Sequence, residues 1–368
     1  MVTLPRKDLR RFILHRTVAN RRPRRSPSWR REHAPRTLIR AAVTHSAPPS
    51  IFVTRRLPEP VERRLVDEYG ASLNASDEPP TPEALRRALR THDIVLCTLT
   101  DRLDRETITA SAGRCRLLAN FGAGTDHIDL AAAAEAGMVV TNTPGVLTED
   151  TADLAILLVL AAARRATEGV AEVRDGRWTG WRPTHLLGTR VSGASLGIVG
   201  MGRIGQAVAQ RASAGFGMPV RYHSRRRASP DVEARCRASW LPSLHDLLAS
   251  SDVVSLHCPA TPATRHLIGA AELARMKPSA ILVNTARGDV VDEAALVHAL
   301  DTGLIAGAGL DVFEHEPAIP DALRVHPRVF ALPHLGSATV ASRVAMGECA
   351  LRNIAAFLRG DDPPDRVR

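Results

Sequence analysis

The segment that most restricts the fold is Gly200-Met201-Gly202-Arg203-Ile204-Gly205. The apolar run Leu196 to Val199 precedes it, and a helix-forming stretch, Gln206 to Ser213, follows. Gly200 allows a tight turn, Gly202 lets the backbone approach a diphosphate, and Gly205 allows a helix to pack closely on a strand. A diphosphate placed there sits on the positive end of the helix. A tight turn that holds no ligand is the bland alternative, and the flanking strand and helix favour the dinucleotide.

Strands alternate with helices on both sides of this loop. Ile51 to Val53 reads as a strand, Pro58 to Tyr69 as a helix, and Asp93 to Leu99 as a strand with the continuous apolar run of a sheet covered on both faces. Arg116 to Asn120 and Met138 to Asn142 are further short strands, separated by helical Leu130 to Ala136. Glu149 to Ala166 is a strong helix: Thr148 can cap it, Glu149, Asp150 and Asp153 suit its positive start, and Arg164 and Arg165 its end. A domain crossover is expected just before it. The second alternation continues from Leu196 through Val220 to His223, Val253 to His257, Ala280 to Asn284, Ala306 to Asp311 and Val329 to Ala331, and a last helix spans Ala341 to Leu358. The pattern predicts an α/β protein built on doubly wound parallel sheets, with two domains in 368 residues.

The net charge of +10 invites a nucleic-acid reading, but it is unevenly spread. Residues 1–40 hold 13 Lys and Arg against 2 acids; the remaining 328 hold 36 bases and 37 acids and are close to neutral. The excess belongs to a basic arm, residues 1–50, which lacks interleaved aromatics and ends at Ala47-Pro48-Pro49-Ser50; it is expected to be disordered, with no nucleic-acid partner. An organellar transit peptide, or a start assigned too far upstream, would account for the arm equally well. The five cysteines, Cys97, Cys115, Cys236, Cys258 and Cys349, show no CxxC spacing, so reduced thiols in the cytoplasm are expected and no metal site. The longest apolar run, Leu154 to Ala163, is too short to span a membrane.

Ligands gather at the carboxyl ends of parallel strands, and three chemically complementary residues fall there: Arg287 in VNTARGDVVDE, Glu316 in LDVFEHEP and His334 in LPHLGSAT. A cation, a carboxylate and an imidazole are what a hydride-transfer enzyme needs beside its nicotinamide. Arg287 offers paired donors matched to a carboxylate. His334 is the candidate acid, and Glu316 can bond its other ring nitrogen, orient it and favour its protonated form. Taken singly these are ordinary residues, a surface ion pair and a satisfied loop histidine. Ala123 and Gly124, in a small-residue loop, can offer backbone N–H groups to a substrate carboxylate, and Leu99 and Thr100 line the same cleft. His127, beside that loop, reads as structural, in contact with a helix N-terminus.

NFGAGTDHID, LGIVGMGRIGQAVA, NTARGDVVDE, GLDVFEHEP and PHLGSAT together resemble the D-isomer-specific 2-hydroxyacid dehydrogenases in order and spacing, from about Ile51 to Arg359. LCTLTDRLD, TPGVLTEDTADLA, RWTGWRP and YHSRR are most similar to the glyoxylate and hydroxypyruvate reductases of that family. The resemblance implies a Rossmann NAD(P)-binding domain over residues 148–335 and a flavodoxin-like substrate-binding domain, discontinuous over 51–147 and 336–368. It places Thr151 and Asp311 near the nicotinamide, and Thr285 and Ala286 with Gly200, Gly202, Arg203, Ile204 and Gly205 among the cofactor contacts. Cys258 and Pro259 match a loop over the adenosine ribose. Trp181 resembles the aromatic that reaches into the other subunit's site, which implies a homodimer.

Within the family, phosphoglycerate dehydrogenase is the alternative, although many such enzymes carry a C-terminal regulatory domain for which the eight residues after Gly360 leave no room. Formate dehydrogenases place glutamine where Glu316 stands. A corepressor-like scaffold that binds NAD(H) is the alternative outside enzymes. For the cofactor, an NAD site usually carries an acid about twenty residues past the glycines. Here the strand ends in Ser224-Arg225-Arg226-Arg227. A serine hydroxyl with Arg225 and Arg226 suits a 2′-phosphate, so NADP(H) is expected to be preferred and NAD(H) to be the lesser substrate.

Overall fold

Short runs rich in valine, leucine and isoleucine form two separate parallel sheets. The structure, a computed structural model, describes residues 49–111 and 113–368; the basic arm, apart from Pro49 and Ser50, lies outside the described residues. The first sheet contains β1 (Ile51–Val53), β2 (Ser72–Leu73), β3 (Ile94–Thr98), β4 (Leu117–Phe121) and β5 (Val139–Thr141), in the order β2-β1-β3-β4-β5. This is the flavodoxin order. The second contains β6 (Leu196–Val199), β7 (Val220–His223), β8 (Ala238–Trp240), β9 (Val253–Leu256), β10 (Ile281–Asn284), β11 (Gly307–Leu310) and β12 (Val329–Ala331). Its order, β12-β11-β10-β9-β6-β7-β8, is the dinucleotide-binding order with one strand added. Every strand pairing is parallel, and β6, β9, β10 and β11 are buried along their whole length, as a sheet covered by helices on both faces requires.

Each sheet has its own apolar core. The helix Val340–Leu358 returns to the first sheet, where Met346, Ala350, Leu351 and Ile354 pack with Ile51, Val53, Leu96 and Leu117. The helix Thr148–Ala163 packs on the second sheet through Ala152, Ala155, Leu158 and Val159.

Several elements differ from the sequence expectation. Thr148 lies inside the first turn of its helix; Leu147 occupies the cap position and no side chain caps the end. That helix stops at Ala163, and Arg165, with φ of 53°, turns the chain into a second helix, Ala166–Arg174. The strands β2 and β8 are short and only partly apolar, so neither stands out as a run. The helix Pro82–Thr91 escaped notice despite a legible start: Thr81 accepts from the Ala84 amide at 3.2 Å and Pro82 occupies the first turn. Among the described residues no helix is long and apolar enough to cross a membrane, and no group of three or more His, Cys, Asp or Glu could hold a metal ion.

The two sheets share one device at their amino ends. Asp93, before β3, accepts from the amide and hydroxyl of Ser50 at 2.8 and 2.9 Å, and Asp252, before β9, accepts from those of Ser195 at 2.8 and 2.7 Å. Arg114 and Lys277 pair with them at 2.9 and 2.7 Å. Burial opposes the charge of Asp252, but Lys277 and the serine donors outweigh it and hold the carboxyl at about 2. A depressed carboxyl stabilises the fold above its ordinary pKa of 3.8 and loses that contribution as the pH falls toward 2. Asp252→Asn should therefore cost about 1–2 kcal/mol at neutral pH, allowing for solvent screening. In urea titrations the two proteins should converge as the pH falls below the ordinary carboxyl range; an equal gap at all pH values would contradict this account.

Candidate active site

The glycine loop joins β6 to the helix Arg203–Phe216, and its three glycines face different surroundings. Gly200 has φ of 99°, and a Cβ there would lie 2.7 Å from the His257 carbonyl and 2.8 Å from the Cys258 nitrogen. A Cβ on Gly205 would overlap the Gly200 carbonyl oxygen and lie 3.2 Å from Ile198. A Cβ on Gly202 would meet no heavy atom within 4 Å. Two glycines are thus required by the chain's own packing, and the third borders open space. The helix begins there with no side-chain cap and no acid in its first turn, so its amides remain available to an anion. Arg203 is exposed at that start and Ile204 half-buried. These residues fit a dinucleotide diphosphate.

Beyond β7, Arg225 and Arg226 are exposed, and among the described residues neither forms an ion pair. Arg227 is committed to Glu233, at 2.9 and 2.8 Å, and Glu233 also accepts from the Tyr222 hydroxyl at 2.8 Å. The Ser224 hydroxyl, expected to be open to a ligand, instead donates to the Arg226 carbonyl at 2.6 Å and closes the turn. After β9, Cys258 is buried, which pushes its thiol up to about 11, and Pro259 is exposed. Thr285 is buried with its hydroxyl 3.5 Å from His257 Nδ1, and burial pushes the His257 imidazole down to about 4.

The carboxyl ends of β10, β11 and β12 bring Arg287, Glu316 and His334 together. His334 Nδ1 lies 2.8 Å from Glu316 Oε2, while Glu316 Oε1 accepts from the Phe313 amide at 2.9 Å. Burial works against the Glu316 charge, but the His334 hydrogen bond and charge, the Phe313 amide and Arg287 hold its carboxyl below the ordinary value. Asp311, at the end of β11, accepts from the Leu335 and Gly336 amides at 2.6 and 2.8 Å. It therefore caps the turn that carries His334. The Thr151 hydroxyl lies 3.0 Å from the Gly336 carbonyl and 2.9 Å from the Leu147 carbonyl.

Arg287 projects from the second sheet toward the loop after β4. Its Nε donates to Asp126 at 2.9 Å and its Nη1 to the Ala286 carbonyl at 2.8 Å, and a Cβ on Gly124 would overlap its Nη2. Ala286 in turn donates its amide to Asn284 Oδ1 at 2.9 Å. Asn120 Nδ2 donates to the Gly124 carbonyl at 2.8 Å and Asn142 Nδ2 to the Ala123 carbonyl at 2.7 Å, which fixes the loop. Leu99 and Thr100 follow β3, and the Thr100 hydroxyl accepts from Arg55 Nη1 at 3.0 Å. Trp181 is 82% exposed. His127 does not serve a helix start: Asp129 caps the helix Leu130–Glu135, and neither His127 ring nitrogen has a partner.

Residues 156–336 match the D-isomer specific 2-hydroxyacid dehydrogenase, NAD binding domain. The chain is 45% identical to a glyoxylate reductase of Thermococcus litoralis over 87% of its own length and 96% of that protein's. Among solved structures it is similar to a Thermus thermophilus protein, at 45% identity and a TM-score of 0.78, with 87% of this chain and 100% of that one covered. It is also similar to the NADPH-dependent glyoxylate/hydroxypyruvate reductase of Sinorhizobium meliloti, solved with NADP and malonate, at 34% identity and a TM-score of 0.77 over 87% and 97% of the two chains. The chain belongs to the D-isomer-specific 2-hydroxyacid dehydrogenases. It is of the glyoxylate reductase type, an oxidoreductase with a nicotinamide-dinucleotide-binding domain.

Sequence reading passed over four residues at this dehydrogenase's site: Asn120, Asn142, Asp126 and Arg55. The asparagines were legible, each a polar residue at or just past the end of an otherwise apolar strand. Asp126 and Arg55 carried no such signal, since their partners Arg287 and Thr100 are distant in sequence.

The contrast among the glycines is testable. Gly200→Ala should lower stability by about 1–3 kcal/mol, through its positive φ and the contact with the next strand's backbone. Gly202→Ala should leave stability within about 0.5 kcal/mol of the parent yet weaken NADH and NADPH binding, read by fluorescence titration. Equal loss of stability in both variants would refute the distinction.

Proposed function

We propose that this dehydrogenase reduces short 2-keto acids, glyoxylate and hydroxypyruvate foremost, to D-2-hydroxy acids, with NADPH preferred over NADH. The observation that carries the reading is the pairing of His334 with Glu316 at 2.8 Å at the strand ends that also present Arg287 to the Gly124 loop. A bound nicotinamide supplies the hydride. Arg287 anchors the substrate carboxylate, assisted by the Ala123–Gly124 backbone, with Leu99 and Thr100 along the cleft. His334 Nε2, the nitrogen turned away from Glu316, gives its proton to the developing alkoxide oxygen. Glu316 orients the ring and favours its charged form. The loop from Gly200 through Arg203 and Ile204 to Gly205 takes the diphosphate; Thr151, Thr285, Ala286 and Asp311 border the nicotinamide, and Cys258 and Pro259 the adenosine ribose.

The glyoxylate reductase activity of the relatives supports this substrate class, and the Sinorhizobium meliloti enzyme, bound to NADP and malonate, supports a phosphorylated cofactor and a small carboxylate. In the same reading the substrate domain is 51–147 with 336–368, the cofactor domain is 148–335, and the working form is a homodimer. Exposed Trp181, Leu187, Val173 and Leu157 are the apolar surface that a second copy would cover.

His334→Ala should lower turnover by about two to four orders of magnitude, the usual span for a general acid, with NADPH binding retained. Glu316→Gln should move the alkaline side of the reduction profile, where the protonated ring is lost, to lower pH, because that ring loses its anionic partner. Near-normal turnover in the first variant would remove His334 from the reaction.

Among the described residues Arg225 and Arg226 form no ion pair while Arg227 is held by Glu233, and this sets the cofactor test. Ser224→Asp combined with Arg225→Ala should cut kcat/KM for NADPH at least about tenfold more than for NADH, since a carboxylate repels the 2′-phosphate and one guanidinium is lost. Equal use of both cofactors by the parent enzyme would refute the preference.

A further inference from the structure

Arg287 carries five N–H donors, and their disposition is uneven. Nε is taken by Asp126 at 2.9 Å and one donor of Nη1 by the Ala286 carbonyl at 2.8 Å. Nη2 makes no hydrogen bond among the described residues, and it occupies the space where a side chain on residue 124 would begin. Asp126 follows β4 of the first sheet, whereas Arg287 follows β10 of the second, so this bond reaches from one domain to the other.

We propose that Asp126 is a positioning residue that grips the Nε edge of Arg287 from across the cleft, leaving the Nη1–Nη2 edge directed at the Gly124 loop to receive the substrate carboxylate. The proposal rests on the reading of Arg287 as the substrate anchor and adds to it the reason the guanidinium faces one way.

Three observations make Asp126 suited to this task. Its loop is held at both sides, by Asn120 Nδ2 on the Gly122 and Gly124 carbonyls at 3.2 and 2.8 Å, and by the Ile128 amide on the Thr125 carbonyl at 3.0 Å. Its carboxyl stays ionised: burial opposes the charge, but the charge of Arg287 outweighs it and keeps the pKa below the ordinary value. The adjacent His127 does not compete, because burial pushes its imidazole down to about 4 and neither ring nitrogen finds a partner. At neutral pH Arg287 is thus the only cation paired with Asp126 among the described residues. Partly exposed ion pairs contribute little to stability, whereas a hydrogen bond to one edge of a planar fork fixes the direction of the other edge. Orientation of this kind acts mainly on substrate binding.

Steady-state kinetics with glyoxylate and NADPH on purified full-length Asp126→Ala, Asp126→Asn and Arg287→Ala test the proposal. Asp126→Ala should raise KM for glyoxylate about tenfold or more with a smaller change in kcat, and leave the NADPH dissociation constant within about twofold. Asp126→Asn keeps an acceptor oxygen toward Nε and removes a competing anion, so KM should return to within about threefold of the parent or fall below it. An unchanged KM in Asp126→Ala, failure of Asp126→Asn to recover, or joint loss of NADPH binding and thermal stability would overturn the positioning role. Arg287→Ala separates the two layers: a parental KM there would overturn the anchor reading itself, while a raised KM with no effect of Asp126→Ala would overturn this proposal alone.

Discussion

A buried carboxylate at the end of β11 sets the position of the groups around it. Asp311 is 1% exposed, and its oxygens accept the amides of Leu335 and Gly336 while its own carbonyl accepts the amide of His334 at 2.9 Å. Its amide donates to the Asn284 carbonyl at 3.0 Å, three residues before Arg287. One residue thus ties the imidazole's loop to the strand that leads to the guanidinium. The arrangement is costly. Burial pushes the Asp311 carboxyl up to about 6 against the pull of the Leu335 amide, the His334 charge and the Gly336 amide, and His334 is held with φ of 55°, a conformation that costs a non-glycine residue on the order of 1 kcal/mol. Strain of this sort persists where the surroundings over-determine it. Here Asp311 does so from one side and Thr151, bonded to the Gly336 carbonyl, from the other.

The fold was legible wherever an element is buried on both faces. β6, β9, β10 and β11 are continuous apolar runs, and such runs leave little choice but a covered parallel sheet. Legibility fell at the edges: β2 pairs only Ser72 and Leu73 with β1, and its existence depends on a neighbour more than on its own composition. At the site, residues followed by a local motif were readable, as with Glu316, His334 and Gly202. Contacts between distant loops were not. Asp126 sits one position from His127, the rarer residue type, yet it is the carboxylate that meets Arg287.

The glycines show why a motif cannot be read as a single demand. Gly200 and Gly205 are required by the protein's own backbone and would be glycine in an empty site; Gly202 has room for a methyl group and is free of internal constraint. Gly124 is a further case, since the group that excludes a side chain there is the Arg287 guanidinium. A ligand's imprint on the sequence is therefore found at glycines that the apoprotein does not need. By that criterion Gly202 is the glycine left to a ligand, whereas Gly124 is needed by the protein's own Arg287.

The distribution of arginine partners carries the same logic to charge. In a chain with two lysines, arginine serves most structural ion pairs, and abundance alone says nothing of function. Partnering does. Arg227 is fixed by two bonds to Glu233, Arg211 spans Asp153 and Glu149, and Arg114 holds Asp93, so each of these is accounted for by the fold. Arg287 differs, since Nε and Nη1 are engaged while Nη2, without a bond among the described residues, faces a glycine. Desolvating a guanidinium edge without a partner is unfavourable, and the Arg287 side chain stays 26% exposed. An anion with two oxygens in one plane matches such an edge. A 2-keto acid of the proposed substrate class would meet that demand with its carboxylate, one bond from its keto carbon.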